Sequence, residues 1–438
     1  MRILSVARIL IVAFVSVLLT ACVTVAGVDV LERVSLDVED DPAAPNALAS
    51  IDAAGPVASR DAWTNERAPL LIEAFQRDLY GYWPDAFEVS VVETQRLVED
   101  AYDGAATIDI TFLKISTRFG DAEPVERNMR VVIAKPTSAT GPVPTILKMD
   151  ACPTFRVFRI DNVLNESTDA CRVKGLSPIN RAVNYSLGRY HVSPPIEEMV
   201  KRGYAYASIS AGDYVPDNRS LSRTVLDDLS KGADENKAWG ALAAWAFQFA
   251  RAVDHLDADP DLDPSRTAVY GHSRYGKAAL IASAFDPRID AVIAHQSGRF
   301  GAALTMSAIG EPVSELIATY PDWLSTSYVT RALEGEIETA FDQHHLIALS
   351  APRPVLLGHG RRDIWSDPNG AFRAAQGATP VYELFGSDGL SAARLDDFRP
   401  DDDIAFWIRP GTHGETEEDW PAFFDFLGAH FAPSAPIK

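Results

Sequence analysis

The stretch that decides the fold is Thr267-Ala268-Val269-Tyr270 followed by Gly271-His272-Ser273-Arg274-Tyr275-Gly276. Its apolar and β-branched first part predicts a buried strand. Glycines on both sides of Ser273 indicate a sharp strand-to-helix turn, because glycine tolerates a close and strained backbone. A serine on such a turn is typical of a nucleophile that attacks an acyl group. The second glycine comes one residue later than in G-x-S-x-G, so an ordinary turn with an unreactive serine is the alternative.

Short apolar runs alternate with helical patterns along the rest of the chain. This alternation predicts crossover connections and a mostly parallel sheet flanked by helices, as in a three-layer α/β sandwich. Together with the serine turn, it fits the α/β-hydrolase fold. The clearest helix is predicted over Asn236 to about Leu256, and a last one within Glu417–His430. The predicted strands are Met129–Ala134, Thr145–Lys148, Tyr204–Ile209, Thr267–Tyr270, Ala291–Ala294, Val355–Gly358 and Ile404–Ile408.

The N-terminal residues predict export. A basic start precedes an apolar run, Ile9–Leu19, that is too short for a spanning helix and fits a signal peptide. The run ends in Leu19-Thr20-Ala21-Cys22, which resembles a bacterial lipobox. We therefore expect residues 1–22 to be a lipoprotein signal, with Cys22 lipidated and the protein held in the periplasm or at the outer membrane. An ordinary secretory signal with an incidental cysteine is the alternative.

The composition predicts how the rest of the chain is divided into a linker and a domain, and which classes of partner are not expected. Residues 23–60 are rich in Ala, Asp, Pro and Val without periodicity, which predicts a flexible linker before a catalytic domain over residues 61–438. The net charge of −21 repels phosphate backbones, so nucleic acid is not an expected partner. A hydrophobic share of 47% still leaves ample material for a core. Membrane contact is expected through the lipid anchor only.

Two further cysteines, Cys152 and Cys171, lie in the predicted domain. Export to an oxidising compartment favours a disulfide between them, and two separate buried thiols are the alternative. Neither cysteine has the spacing of a metal site. No metal or organic cofactor is expected.

A nucleophilic serine needs a base and a group that orients the base. In α/β-hydrolases the acid and then the histidine follow the serine along the chain. Asp363 comes just after the predicted strand Val355–Gly358, and His413 follows Ile404–Ile408, so both fall where such folds place catalytic loops. Asp363 could instead pair only with a neighbouring arginine, and His413 could be a simple loop histidine. The competing histidines are His344, His345 and His359, of which His359 is interpreted as structural.

The run Gly271-His272-Ser273-Arg274-Tyr275-Gly276-Lys277 resembles the motif G-[CH]-S-R-x-G-K of the glucuronoyl esterases, carbohydrate esterase family 15. The displaced second glycine is a trait of that family. The resemblance extends to Asp78-Leu79-Tyr80-Gly81 and to Thr412-His413, and covers most of residues 61–432. It implies a serine esterase that hydrolyses esters of glucuronic or 4-O-methylglucuronic acid, as in glucuronoxylan or in lignin–carbohydrate links.

The resemblance also implies roles for residues around the serine. Arg274 would stabilise the oxyanion, with a surface arginine paired to a carboxylate as the alternative. Lys277 would donate to sugar hydroxyls or to the uronate, Glu311 would accept from sugar hydroxyls, and Trp365 would line the sugar site. The alternatives are a solvated lysine, a solvated glutamate and a tryptophan that only packs in the core.

The sequence departs from the family pattern at Gln296. Some members carry their catalytic glutamate there, and a glutamine cannot hold the charge that favours an imidazolium. The departure moves the acid to Asp363, and Gln296 is expected among the substrate-binding residues. The region Ala151–Arg189 matches the family poorly, which leaves substrate preference open.

Three rival functions remain on the sequence alone. The nearest is another carbohydrate esterase, such as a deacetylase, on the same scaffold. A second, of a different class, is a non-catalytic surface lipoprotein that binds glycans. A serine peptidase is the third and is disfavoured, because Lys277, Glu311 and Trp365 are better suited to a sugar than to a peptide.

Overall fold

The computed structural model of the 438-residue chain describes residues 34–35, 37, 44–51, 55–152, 154–160, 190–191, 194–234, 237–337 and 339–431. The predicted signal, residues 1–22 with Cys22, lies outside these residues, and so does Cys171. Cys152 is disulfide-bonded, and its predicted pairing with Cys171 stays a prediction. Within the described ranges no helix is both long enough and apolar enough to cross a membrane.

Strands and helices alternate through most of the described chain. The strands are β1 Ala86–Asp100, β2 Ala106–Arg118, β3 Val125–Pro136, β4 Val143–Met149, β5 Tyr190–His191, β6 Ala205–Ile209, β7 Leu262–His272, β8 Ala291–His295, β9 Val355–Gly360, β10 Ile404–Arg409 and β11 Gly414–Glu415. The helices are α1 Arg60–Ala62, α2 Ala68–Phe75, α3 Ala101–Gly104, α4 Thr154–Val157, α5 Ile196–Lys201, α6 Ala211–Tyr214, α7 Arg219–Leu229, α8 Ala241–Asp257, α9 Arg274–Phe285, α10 Val313–Thr319, α11 Thr326–Leu333, α12 Gln343–Ala348, α13 Pro368–Leu384 and α14 Asp419–His430. Two π-helical turns, Trp63–Arg67 and Gln76–Tyr80, flank α2, and a short 3-10 turn spans Ile364–Ser366.

Nine strands form one sheet in the order β1-β2-β3-β6-β4-β7-β8-β9-β10. From β6 to β10 every neighbouring pair is parallel, whereas β1, β2 and β3 are antiparallel to their neighbours. The order reverses at β4, as expected when the chain winds outward in both directions from a central strand. The mostly parallel α/β-hydrolase sheet predicted from the sequence is confirmed, and each predicted strand overlaps an observed one.

The sheet is covered by helices on both faces. Successive residues of one strand enter different cores: Val355 and Leu357 of β9 pack with α8, α9 and α13, whereas Leu356 packs with α5 and α14. Because side chains alternate across a strand, such a division requires apolar layers above and below the sheet. The central strands are buried throughout, as in β4. The three-layer sandwich therefore fixes the carboxyl ends of β6 to β10 along one edge.

The helix before β7 begins later than predicted. It starts at Ala241, after Gly240 in an extended conformation, whereas the predicted start at Asn236 lies outside the described residues. The backbone just ahead of it is a close packing point: a Cβ on Gly81 would lie 2.3 Å from Trp239 Cα, and one on Gly240 would lie 2.4 Å from the Trp323 carbonyl oxygen. Tertiary contact therefore replaces the first helical turn.

The long hairpin of β1 and β2 was not predicted. Its outer strand β1 is at the edge of the sheet and has no buried position. Polar residues such as Glu93, Thr94 and Gln95 occupy its middle, so the strand lacks the apolar alternation that marks a half-buried strand. Only its partner β2 alternates clearly between buried and partly exposed residues.

Parts of the predicted flexible linker pack on the catalytic domain. Ala47 is fully buried, and its N–H donates to the Gly377 carbonyl at 3.0 Å. Val34 is 8% exposed and accepts a hydrogen bond from Arg361 Nε at 3.3 Å. Ala47 and Val34 thus contact the domain, and the description of residues 23–60 as a flexible linker stays a prediction.

Candidate active site

Ser273 occupies a strained turn between β7 and α9. Its backbone angles are φ 58° and ψ −125°, outside the regions that ordinary residues adopt. The Ser273 N–H donates to the His295 carbonyl at 2.8 Å, which ties the turn to the end of β8. Strain of this kind persists only where the surroundings impose it, and it is common at nucleophiles. The turn leaves Ser273 partly exposed at the carboxyl edge of the sheet.

Both glycines of the turn are required by the packing. A Cβ on Gly271 would lie 2.0 Å from the Tyr275 carbonyl oxygen, closer than any real contact. A Cβ on Gly276 would lie 2.9 Å from the Gly271 oxygen and 3.0 Å from the His295 oxygen. The second glycine is thus placed where α9 crosses the ends of β7 and β8, which explains its position one residue later than in G-x-S-x-G.

The backbone N–H of Arg274 is the first donor of α9. The first N–H groups of a helix have no partner within the helix and carry its partial positive charge. In this fold the residue after the nucleophile supplies one donor to the oxyanion. Arg274 therefore has a backbone donor beside Ser273 as well as a charged side chain.

Asp363 and His413 meet between two loops at the same edge. His413 Nδ1 donates to Asp363 Oδ2 at 2.8 Å, and the Ser366 hydroxyl donates to the same oxygen. Asp363 is 2% exposed. Burial alone would raise its pKa, but the charge of His413 and the hydrogen bonds from His413 and Ser366 lower the pKa below its ordinary value. An ionised Asp363 fixes the imidazole tautomer that carries its proton on Nδ1.

His413 lies against the residue that precedes the nucleophile. The rings of His272 and His413 have centroids 4.8 Å apart. With Nδ1 donating to Asp363, Nε2 of His413 is the acceptor that a general base needs. Among the described residues neither this nitrogen nor Ser273 Oγ has a hydrogen-bond partner. Bonds between a nucleophile and its base are often long in the free enzyme and shorten with substrate.

Gln296 holds the loop that carries His413. Its Nε2 donates to the Thr412 carbonyl at 3.0 Å, and its Oε1 accepts from the Gly414 N–H at 2.8 Å. The same oxygen lies 2.9 Å from His272 Nε2. Gln296 is 1% exposed, so its amide is occupied by protein groups and screened from solvent. In this structure the Gln296 amide supports the loop of His413, and its predicted substrate contact stays a prediction.

Arg409 holds the same loop from the other side. Its guanidinium donates to the Thr412 carbonyl at 3.2 Å and to the Gly414 carbonyl at 2.6 Å. Its Nε donates to Asp419 Oδ1 at 2.9 Å. Arg409 is 2% exposed and Asp419 is fully buried. This buried ion pair therefore links the loop to the first turn of α14.

A third buried contact joins the loop to the centre of the sheet. Glu415, two residues after His413, accepts from Lys148 Nζ at 2.9 and 2.8 Å. Lys148 also pairs with Asp150 at 2.9 Å. Burial lowers the pKa of Lys148 less than the two carboxylates raise it, so the pKa is raised overall. Burial raises the pKa of Glu415 against the opposing effect of Lys148.

The Arg274 side chain is engaged with a carboxylate. Its Nη1 lies 3.0 and 3.2 Å from the two oxygens of Asp217, and its Nη2 donates to the Tyr320 hydroxyl at 3.4 Å. Burial would lower the pKa of Arg274, but Asp217 and the nearby tyrosines raise it overall. This contact matches the alternative of an arginine that is paired to a carboxylate. The role of Arg274 in stabilising the oxyanion stays a prediction.

Lys277 lies one turn into α9 and is 5% exposed. Its Nζ donates to the carbonyl oxygens of Ser297 and, at 2.7 Å, of Arg299. Burial lowers its pKa to about 8, although the charge of Glu311 opposes the shift. An ammonium group has three donors, so one remains for a ligand. The solvated-lysine alternative does not fit, and the predicted sugar contact stays a prediction.

Glu311 and Trp365 are brought together by the backbone. The Glu311 N–H donates to the Trp365 carbonyl at 3.0 Å. The Trp365 side chain is 53% exposed, so it is not a core tryptophan. An exposed indole can stack on a sugar ring, and a carboxylate can accept hydrogen bonds from sugar hydroxyls. Their predicted sugar contacts stay predictions.

The competing histidines are in the core. His359 is fully buried and its ring stacks on Phe406 at 5.1 Å. Burial lowers the pKa of His359, and likewise that of His345, to about 3. Both rings are therefore neutral at ordinary pH. The structural interpretation of His359 agrees with this environment.

Several functional residues were missed from the sequence. Ser366 and Glu415 stand within three residues of predicted catalytic residues, and that proximity was the available signal. The others come from distant segments, and no local pattern marks them: they are Lys148, Asp150, Asp217, Arg409 and Asp419.

The α/β-hydrolase class is defined by a mostly parallel sheet that carries a serine on a strand-to-helix turn, with the acid and then the histidine following the serine along the chain. This chain has these features. A family model described as glucuronyl esterase of fungi matches residues 228–386. A curated carbohydrate esterase from an unknown prokaryotic organism is 32% identical over 89% of this chain and 90% of its own.

Solved structures give the same result. A promiscuous esterase of carbohydrate esterase family 15 from a marine bacterial metagenome is 30% identical to this chain. The match covers 91% of this chain and 100% of that structure's chain, with a TM-score of 0.73. The glucuronoyl esterase from Solibacter usitatus is 28% identical over 89% of this chain and 99% of its own, with a TM-score of 0.72. The chain belongs to carbohydrate esterase family 15, the glucuronoyl esterases, and is a carboxylic ester hydrolase.

Proposed function

We propose that this esterase hydrolyses esters on the carboxyl group of glucuronic acid or 4-O-methylglucuronic acid, as in glucuronoxylan or lignin–carbohydrate links. The observation that carries the proposal is the hydrogen bond between His413 Nδ1 and the buried Asp363, held beside the strained turn of Ser273. The names of the related glucuronoyl esterases support the uronate as the acyl group.

In the first half of the reaction Ser273 Oγ attacks the ester carbonyl carbon, and His413 Nε2 takes the hydroxyl proton. The tetrahedral intermediate collapses as the same proton passes to the leaving alcohol, which leaves a glucuronoyl ester on Ser273. In the second half His413 removes a proton from water, and the hydroxide adds to the acyl carbon. The second tetrahedral intermediate collapses as the bond from the acyl carbon to Ser273 Oγ breaks and His413 returns the proton to Oγ, and the free uronic acid then ionises to the uronate. The ionised Asp363 stabilises the imidazolium in both halves.

The oxyanion forms next to the start of α9. The backbone N–H of Arg274 and its guanidinium are the donors proposed for the developing charge. The guanidinium can donate to the substrate while it stays paired with Asp217, because it carries five N–H donors. The remaining donor of Lys277, the carboxylate of Glu311 and the exposed ring of Trp365 are proposed to bind the sugar.

Kinetics on three substrates test the proposal. Benzyl glucuronate, p-nitrophenyl acetate and acetylated xylan are compared with the wild type and with Ser273→Ala. The expected result is the highest kcat/KM on benzyl glucuronate, and loss of nearly all turnover in the variant. A preference for the acetyl esters would point to a deacetylase. Glycan binding without turnover would point to a binding lipoprotein.

The proposed location is the periplasm or outer membrane, with a lipid on Cys22. Expression of the full chain and of Cys22→Ala in a bacterial host, followed by membrane fractionation, tests it. The wild type is expected in the membrane fraction and the variant in the soluble exported fraction. Equal distribution of both would overturn the anchor and leave the esterase activity unaffected.

A further inference from the structure

Arg274 is held by a carboxylate that the catalytic mechanism does not use. Asp217 lies in the loop before α7 and is 28% exposed in its side chain. Both of its oxygens face Nη1 of Arg274, at 3.0 and 3.2 Å. The Tyr275 hydroxyl donates to Asp217 Oδ2 at 2.9 Å. The carboxylate is thus fixed by two consecutive residues of the nucleophile turn.

Two aromatic rings also contact the Arg274 guanidinium. The Arg274 guanidinium carbon lies 4.7 Å from the ring centroids of both Tyr320 and Trp323. These two rings stack on each other at 3.9 Å. A planar guanidinium between aromatic faces and a carboxylate loses most of its rotational freedom. A cavity of ≈ 120 Å³, lined in part by Asp217, Arg274 and Tyr320, opens beside the guanidinium.

The reaction changes the charge of the acyl group. A uronic ester is neutral at its carbonyl group, whereas the product is a full carboxylate. Two cations, Arg274 and Lys277, lie on the first turn of α9 beside the serine. A carboxylate released between them would be held strongly, since a guanidinium binds carboxylates with paired hydrogen bonds. A site built in this way needs a means to limit binding of its own product.

We propose that Asp217 is a positioning residue with two effects on Arg274. It fixes the guanidinium beside Ser273, and it balances the positive charge so that the uronate product leaves. The proposal rests on the proposed function, because it takes the uronate carboxylate as the product. The Asp217 carboxylate contacts the side chains of Arg274 and Tyr275. Its effect on the reaction is therefore transmitted through these two residues.

Two substitutions separate the effects. Asp217→Asn keeps a hydrogen-bond acceptor and removes the charge, whereas Asp217→Ala removes both. With benzyl glucuronate we expect kcat to fall about 30-fold in Asp217→Ala and no more than about 3-fold in Asp217→Asn. The inhibition constant of free glucuronate should fall about 5- to 10-fold in both variants at low ionic strength, and the difference should shrink with added salt.

Asp213 provides the matched control. It lies four residues away in the sequence and binds Arg130 with both oxygens, at 2.6 and 2.9 Å. Arg130 belongs to β3, three strands from β7 in the sheet. Asp213→Asn and Asp213→Ala should alter thermal stability only, with kcat and the glucuronate inhibition constant as in the wild type.

The outcomes are decided by comparison with the wild type. An unchanged glucuronate inhibition constant in Asp217→Asn, or equal changes in the Asp213 pair, overturns the inference while leaving the proposed function intact. If Asp217→Ala fails to fold, the inhibition constant of Asp217→Asn decides alone. A wild type without turnover on benzyl glucuronate overturns the proposed function, and this inference with it.

Discussion

The nucleophile turn and the His413 loop stand side by side at the edge of the sheet, yet they are held in different ways. The turn, residues 271–276, is fixed by backbone sterics: a Cβ on Gly271 would lie 2.0 Å from the Tyr275 carbonyl oxygen. The loop, residues 410–416, is fixed by polar side chains that arrive from other segments, including Gln296 and Lys148. One is a local constraint and the other is a network.

This difference has a consequence for tolerance to mutation. In the tightly packed turn a single added atom is enough to displace the backbone. A polar network of several buried contacts can lose one member and keep the others, although each unpaired group costs free energy. We therefore expect abrupt losses in the turn and graded losses in the loop.

The largest effect is expected at Gly271. Gly271→Ala places a methyl group on the Tyr275 carbonyl, so we expect the free energy of unfolding to drop by more than about 4 kcal/mol, with loss of activity. Gly276→Ala meets its neighbours at 2.9 and 3.0 Å and should cost about 1–3 kcal/mol. Denaturant unfolding of both variants measures the contrast. Equal, small losses would break the steric account of the turn.

The second effect concerns the acid. Asp363→Asn keeps the shape of the side chain and removes the charge that orients His413, so kcat should fall roughly 10³- to 10⁴-fold with little change in KM. Since the pKa of Asp363 is lowered in the folded protein, its ionisation stabilises the fold above the pKa of the unfolded chain. That stabilisation is lost as pH falls through the folded pKa. Asp363→Asn should therefore flatten the acid limb of the stability curve, as thermal melts from pH 3 to pH 7 would measure.

The loop network is tested by its buried ion pair. Lys148→Met leaves Glu415 buried without its cation, which should destabilise the fold by about 3–5 kcal/mol and lower kcat about 10- to 100-fold. The double variant Lys148→Met/Glu415→Gln should recover part of both losses, because Glu415 no longer carries an unpaired charge. Asp150 then lacks its cation but still accepts hydrogen bonds from Tyr206 and Ser208. Unfolding and steady-state kinetics of the single and double variants form the cycle. A double variant that is worse than the sum of the singles would contradict a pairwise network.

The smallest effect is a pH dependence at Lys277. Because its pKa is lowered to about 8 from 10.5, the ammonium is lost within reach of assay conditions. We expect kcat/KM to fall about tenfold as pH rises through about 8, if the charge assists binding. Between about pH 8 and pH 10.5 the unfolded chain binds more protons than the folded one, so the free energy of unfolding rises with pH.

Lys277→Met should remove both trends, and Lys231→Met, an exposed lysine on the surface, should remove neither. Rate profiles and denaturant midpoints over pH 7–10 provide the readout. A rate that falls above pH 8 in Lys277→Met as well would assign the alkaline limb to another group.

The two regions also differ in how far the sequence predicts them. Gly271, Ser273 and Gly276 stand within six residues, so the turn was predictable in type and position. Asp363 and His413 were predictable because parallel strands end at one edge and the catalytic order along the chain is fixed. The contacts that hold them were not, since Lys148 and Glu415 are 267 positions apart in the sequence.

Gln296 shows most clearly where prediction from the sequence ends. The resemblance to the family suggests a residue of the substrate site at this position. In this chain the amide donates to Thr412 and accepts from Gly414, so the same position supports the loop of His413. A glutamine offers a donor and an acceptor on one group, and only the fold reveals which backbone atoms use them.

The central claim is that Ser273 is the nucleophile and His413 its base. Labelling with a serine-directed fluorophosphonate, followed by peptide mass spectrometry, measures this directly on the full chain. We predict one modified peptide, carrying the label on Ser273, with labelling abolished in Ser273→Ala and slowed at least about 100-fold in His413→Ala. A label on another serine, or an undiminished rate in His413→Ala, would contradict the account.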